Sequence, residues 1–222
     1  MTGEPLKPDS EQARRFILAN TALQSPPHVP EIKLYLADEA HELWLRTEDE
    51  LATIGLPPPF WAFAWAGGQG VARYVLDNTQ LFRSRTVLDF ASGSGLVAIA
   101  AAKAGAAPVT ATDIDAFCLP AMRLNAEANG VAFTPLISDV VDTDQGWDIV
   151  LAGDVFYDKA MTDRIVPWLG RLARRGALVI AGDPGRSYLP KDRLSELAVY
   201  TVPVTHALED SEVKRTTVWR FA

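Results

Sequence analysis

The sequence predicts an α/β protein built on a doubly wound seven-strand sheet, mostly parallel with an antiparallel C-terminal hairpin, plus an N-terminal extension. Three observations carry this expectation. From Thr86 onward, short apolar runs alternate with helical patterns, as crossover-connected parallel strands require. Val87-Leu88-Asp89-Phe90 runs into the turn Ala91–Gly95, whose tiny residues open directly onto an apolar helix. The last two strand patterns are joined only by Ala207–Glu212, too short for a parallel crossover, so they pair antiparallel.

The elements follow in order. A first helix starts with Asp9 or Ser10 as cap and runs to about Ala19, and Ser25–Pro30 is a linker. Glu31–Leu36 alternates as a strand does, and Glu39–Thr53 has helical spacing. Pro57-Pro58-Pro59 breaks the chain, dividing an extension, residues 1–59, from a main domain, residues 60–222. In the main domain, helix Gln69–Asn78 leads to strand Thr86–Phe90, then helix Ser94–Ala104 ends at Gly105. Strand Val109–Thr112 leads to helix Ala116–Asn129, with Gly130 as its left-handed cap and Pro120 confined to its start. Strands at Ala132–Ile137 and Asp148–Ala152 precede helix Ala160–Arg174 and strand Ala177–Ala181. A short helix at Lys191–Ala198 and strands near Val199–His206 and Val213–Phe221 complete the pattern.

At 222 residues, 48% hydrophobic and 22% charged, the chain can bury one substantial core. No apolar run reaches the roughly 18 residues of a membrane span. Met1–Pro8 has neither a signal-peptide apolar region nor an Arg-rich transit pattern, so a cytoplasmic protein is expected, with no membrane partner. A net charge of −7 argues against nucleic acid, because phosphate contacts need clustered Lys and Arg. The dense basic cluster Arg171, Arg174 and Arg175 falls at a helix C-terminus, where it complements the dipole. Cys118 is the only cysteine, which excludes an intrachain disulfide or a cysteine zinc site, and its place inside a helix makes it a buried thiol.

The turn after Val87–Phe90 is the strongest chemical signal. Gly93-Ser94-Gly95-Leu96-Val97-Ala98 fits the G-x-G-x-x-G/A pattern of dinucleotide enzymes, with Asp113 placed as the ribose-binding acid. Charge breaks the tie. A pyrophosphate on the helix N-terminus would meet Asp89 at a cost of several kcal/mol at an effective dielectric of about 20. S-adenosyl-L-methionine carries a sulfonium, an ammonium and one carboxylate. Asp89 suits its ammonium, and the N–H groups of the turn suit its carboxylate. The sequence therefore favours a methyl donor.

The parallel sheet with a terminal antiparallel hairpin resembles the Rossmann-like class I methyltransferases over roughly Phe60 to Phe221. Their acid-x-Gly-x-Gly-x-Gly motif has Ala91 in place of the first Gly here, a departure because alanine disfavours positive φ. The resemblance implies that Ala91, Ser92, Gly93 and Gly95 let the donor approach the backbone. It implies further that Asp113 binds the ribose hydroxyls, Ile114 packs on the adenine, Asp139 bonds its amino group and Val140 flanks the ring. Trp65 and Ala152 line the same pocket by this resemblance. Asp115 reads instead as the cap of the following helix, and a two-carboxylate metal site with Asp113 lacks further ligands. Asp142 and Asp144 read as solvated turn residues.

The acceptor end is read from Asp154-Val155-Phe156-Tyr157, just past the fourth strand of the sheet. Enzymes acting on planar amide nitrogens carry Asn/Asp-Pro-Pro-aromatic there. An acid followed by aromatics suits a cationic amine instead, and resembles the motif of protein lysine methyltransferases, with Asp154 and Tyr157 as catalytic candidates. Trp61–Gln69, Ala152–Asp158, Gly182–Pro190 and Glu31–Ala37 with Trp44 resemble the lysine methyltransferases of the electron transfer flavoprotein β subunit. That resemblance implies this subunit as protein partner. A small-molecule amine or pyridine acceptor, a ribosomal-protein lysine and a non-catalytic cofactor-binding subunit are the alternatives. His28, His41 and His206 lie outside these motifs, so no histidine base is assigned.

Overall fold

The computed structural model describes residues 11–37, 58–203 and 213–222. The helix expected at Glu39–Thr53 with Trp44, the caps Asp9 and Ser10, and the connection Ala207–Glu212 lie outside these residues. The described elements are α1 (Glu11–Asn20), β1 (Ala22–Gln24), β2 (Leu34–Leu36), α2 (Ala66–Asp77), α3 (Thr79–Phe82), β3 (Val87–Phe90), α4 (Leu96–Lys103), β4 (Val109–Asp113), α5 (Cys118–Asn129), β5 (Thr134–Ile137), β6 (Ile149–Gly153), α6 (Lys159–Arg175), β7 (Leu178–Asp183), β8 (Leu194–Pro203) and β9 (Val213–Phe221).

Seven strands form one sheet in the order β5-β4-β3-β6-β7-β9-β8. β3 pairs in parallel with both β4 and β6, so the order reverses there and the crevice lies at the carboxyl ends of these strands. β9 inserts antiparallel between β7 and β8, as the short final connection requires. Every residue of β3 is buried, which fits a central strand covered on both faces.

One face is covered by α2, α4 and α5, whose apolar residues share a core with Ile17, Ile32 and Leu34 of the N-terminal segment. Helix α4 is nearly all alanine and branched aliphatics and is buried through Ala101, because small side chains let it nest between sheet and α2. The other face is covered by α6, whose Ile165, Trp168 and Leu169 pack on Leu88, Phe90 and Phe156. Helix α6 is capped by Asp158, which accepts from the Met161 amide at 2.7 Å, and ends at Gly176 in the left-handed conformation. Arg171 pairs with Asp142, and Arg175 with Asp144 at 2.5 Å, so the basic cluster has carboxylate partners as well as a helix end. Cys118 is buried, as expected.

Two assignments from sequence change. Lys191–Ala198 has helix-forming composition, yet only Lys191–Arg193 makes a helical turn. Leu194–Pro203 is a strand instead, paired with β9 from Leu194↔Phe221 to Pro203↔Val213 with a bulge between Glu196 and Ala198. Nine residues of ladder along β9 outweigh a weak local helix preference. Ala22–Gln24, unassigned from sequence, forms a small antiparallel pair with β2.

A buried side chain, Asn125, ties the N-terminal segment to the crevice. Asn125 of α5 accepts from the Tyr35 amide and donates to the Ser94 carbonyl, each at 2.8 Å. β2 is thereby linked through α5 to the turn after β3.

Candidate active site

The turn after β3 is held open by three left-handed residues, Ala91 (φ 53°), Gly93 (φ 53°) and Gly95 (φ 83°). Ala91 adopts the conformation that alanine disfavours, so the substitution seen in the motif leaves the backbone path unchanged. Asp89 is 1% exposed, and one of its carboxylate oxygens accepts from Ser92 Oγ at 2.5 Å and the Ala98 amide at 2.9 Å. It therefore staples the turn and caps α4, whose own cap residue, Gly95, has no side chain to do so. Burial, reinforced by the charge of Asp113, lifts the Asp89 carboxyl to about 7 against the bonds from Ser92 and Ala98.

Asp113 closes β4 beside this turn. One of its oxygens accepts from the Gly93 amide at 2.9 Å, the other from Ile114 at 2.8 Å and Asp115 at 3.0 Å. The next side chain, Ile114, is 77% exposed, the most open large apolar residue among those described. An aliphatic surface held in water beside a fixed carboxylate is a fitting floor for a flat aromatic ring with a hydroxylated substituent. Asp115 accepts from the Phe117 amide at 2.9 Å just ahead of α5, close to the capping role expected, and burial raises its carboxyl to about 6.

Asp139 lies beyond the end of β5, where its carboxylate accepts from the Val141 amide and pairs with Arg164 of α6 at 2.9 Å. That hydrogen bond from Arg164 holds its carboxyl below the ordinary range. Val140 and Ala152 are buried with Phe90 and Val155 in the core beneath α6.

The acceptor end is assembled from three distant segments. β6 stops at Gly153, and Asp154 turns the chain with φ 55°, a strained conformation for a residue with a Cβ. Its side chain is 7% exposed. One oxygen accepts from the Gly68 amide in the first turn of α2 at 3.1 Å, and the other from Arg186 Nη2 at 2.9 Å and Nε at 3.2 Å. Burial raises the Asp154 carboxyl to about 6, with Arg186 opposing and Asp183 adding to the rise.

Gly67 lies hard against the sheet. A Cβ on Gly67 would lie 2.3 Å from the Gly182 carbonyl, and one on Gly182 would lie 2.2 Å from the Gly67 carbonyl. The glycines let α2 seat its N-terminus on the ends of β6 and β7, which places the Gly68 amide against Asp154.

An aromatic cluster is joined to this acid through Arg186. Phe60 lies 5.8 Å from Trp65 and 6.0 Å from Tyr157 between ring centroids, and the Trp65 indole donates to the Phe60 carbonyl at 3.0 Å. Arg186 sits 5.9 Å over the Trp65 ring. Tyr157 is half-exposed, and its phenol is raised first by burial, then by the charges of Asp113 and Asp158, with Arg186 opposing. Tyr157 thus lies within electrostatic reach of both ends of the crevice. Only the fold brings residue 186 to residue 154.

A family model described as "Ribosomal protein L11 methyltransferase (PrmA)" matches residues 73–157. Magnesium protoporphyrin IX methyltransferase of Synechocystis shares the fold, with a TM-score of 0.51 and 18% identity over 70% of this chain and 79% of that one. Fold, turn and strand order together define a class I S-adenosylmethionine-dependent methyltransferase. The "Electron transfer flavoprotein beta subunit lysine methyltransferase" of Xenopus laevis is 37% identical over 98% of this chain and 90% of that protein. The protein of the same name from Danio rerio is 36% identical over 95% of this chain and 84% of that protein. The chain belongs to this family of lysine methyltransferases.

Proposed function

We propose that the chain transfers methyl groups from S-adenosyl-L-methionine to lysine ε-amines of the electron transfer flavoprotein β subunit. The observation that carries the reading is Asp154, a buried, strained acid three residues before Tyr157, whose partner Arg186 lies over Trp65 in a cluster of Phe60, Trp65 and Tyr157. The names of relatives matched over nearly the whole chain support the acceptor.

The residues present fit the donor. Ala91, Ser92, Gly93 and Gly95 offer a turn of minimal bulk, and Asp89 keeps it in shape. Asp113 and Ile114 would hold the ribose and adenine, with Asp139 and Trp65 at the edge of the pocket, whereas Val140 and Ala152, expected to line it, are packed in the core beneath α6 and would only back it. When bound, S-adenosyl-L-methionine supplies an electrophilic methyl on a sulfonium sulfur.

The chain's own part is positioning and proton control. A lysine amine has a reference pKa of about 10.4 and is nucleophilic only without its extra proton. Asp154 orients the amine by accepting one of its N–H groups, and Tyr157 flanks it and excludes water. The aromatic cluster receives the aliphatic stem of the lysine. A cytoplasmic location belongs to the same reading, and no helix among the described residues is long and apolar enough to cross a membrane.

The test is incubation of the purified chain with isotope-labelled donor and purified electron transfer flavoprotein β subunit, read by peptide mass spectrometry. Label on lysine is expected. Label confined to small amines, or absent from this subunit, would overturn the proposed acceptor.

A further inference from the structure

We propose that Arg186 is a positioning residue that fixes the protonation state in which the acceptor enters: by holding the charge of Asp154, it makes the site select the neutral amine. The inference rests on Asp154 being the acid that meets the acceptor, and it concerns how that acid is kept from trapping an ammonium.

The geometry gives Arg186 two anchors. Its guanidinium donates twice to one oxygen of Asp154, and its plane lies over Trp65. Its own backbone amide donates to Asp183 at 2.7 Å, so the loop that carries it is pinned at its base. Arginine stays charged at every relevant pH, so this cation cannot yield its place by losing a proton.

The charged and polar groups at this end of the crevice come from four elements. From α2 comes the Gly68 amide at a helix N-terminus, a partial positive charge on Asp154. Beyond the end of β6 lie Tyr157 and Asp158, and at the end of β4 lies Asp113; the charges of Asp113, Asp158 and Asp154 all act on Tyr157. From the end of β7 come Asp183 and Arg186, with the charge of Lys191 acting on Asp183. Asp183 is 1% exposed, one of its oxygens is bonded by the Gly185 and Arg186 amides, and the other has no hydrogen-bond partner among the described residues. Asp154 and Asp183 are thus two buried carboxylates beside one guanidinium, which bonds Asp154 and reaches Asp183 only through its charge.

With Arg186 present, an entering ammonium meets a paired acid and a second cation, and its proton departs to bulk water before the nitrogen lone pair is needed. With Arg186 removed, two buried carboxylates face the acceptor and stabilise its ammonium, which has no lone pair. Without the guanidinium the bound ammonium becomes the counter-ion that keeps Asp154 ionised, so the amine gives up its proton only at higher pH.

Turnover and KM for the flavoprotein β subunit measured from pH 6.5 to 10 test this with Arg186→Gln, Arg186→Lys and Asp154→Asn. For Arg186→Gln, the rising limb of kcat is expected about one pH unit higher, with a loss of about tenfold at pH 7.5 that is largely regained at pH 9.5. KM is expected to fall, because the ammonium now binds. Arg186→Lys keeps a charge, so its limb stays with the wild type even where its rate is lower. An equal loss at every pH for Arg186→Gln, or the same shift in Arg186→Lys, overturns the inference while leaving the role of Asp154 standing. If Arg186→Gln does not fold, the equally uncharged Arg186→Met is read in its place, with the same shift expected and an equal loss at every pH overturning the inference. Wild-type turnover in Asp154→Asn overturns the acid's role and the inference together.

Discussion

The two ends of the crevice solve the same problem, fixing a carboxylate at a strand terminus, by opposite means. At the donor end, Asp89 and Asp113 are satisfied by groups within 20 residues of themselves, mostly backbone amides that follow β3 and β4. At the acceptor end, Asp154 is satisfied by Gly68 and Arg186, 86 and 32 residues away. Local bonds make a rigid cradle whose shape survives changes elsewhere. Long-range bonds make a site whose geometry depends on how α2 and the β7 loop are seated. The difference predicts which end fails when packing is disturbed.

Gly182→Ala should produce the largest separation of the two ends. Its Cβ would stand 2.2 Å from the Gly67 carbonyl and 2.6 Å from Val71, so α2 must lift from the sheet. Overpacking of this kind costs about 1–3 kcal/mol of stability. Turnover should fall at least a hundredfold as the Gly68 amide leaves Asp154, whereas donor affinity in calorimetry should stay within about threefold. Equal loss of both would mean that the ends are not independent.

Asp113→Asn attacks the opposite end. On the proposed reading the ribose hydroxyls lose a charged acceptor, worth about 1.5–3 kcal/mol, so donor affinity should weaken by about tenfold to a hundredfold. Turnover at saturating donor should change far less. Unchanged affinity in calorimetry would remove Asp113 from the ribose role.

The same contrast explains what the sequence made legible. Val87–Gly95 could be read directly, because strand, acid, turn and helix are contiguous and their bonds are local. The antiparallel last strand followed from a connection too short for a crossover. Strand β8 was misread because Lys191–Ala198 carries a helix-forming composition, and its ladder partner lies at the other end of the hairpin. The Arg186–Asp154 pair could not be derived, since neither residue's neighbours announce the other. The left-handed conformation of Asp154 was equally hidden, because glycine normally marks such positions and here an acid holds it. Gly67-Gly68 announced a close approach but not what approaches.

Asp89 gives the finest test, because it separates charge from shape within the donor end. Its carboxyl is raised from an ordinary value of 3.8 to about 7, burial being the main cause. Well below pH 4 both folded and unfolded chains hold the proton, and the folded state bears no cost for a buried charge. As pH rises toward 7 the unfolded chain has already released its proton while the folded chain retains it. The folded state therefore binds more protons in this window, and stability falls by a few kcal/mol as pH climbs through it. Asp115 and Asp154, each raised to about 6, act in the same direction and leave a residual slope. Asp89→Asn keeps an oxygen able to accept from both Ser92 and Ala98 but cannot ionise. Denaturant midpoints from pH 4.5 to 8 should fall less steeply in the variant, with the two proteins diverging most above pH 7, where the variant is the more stable. Parallel curves would mean that Asp89 is not the titrating group, and that the donor turn is held by an acid whose charge costs the fold nothing.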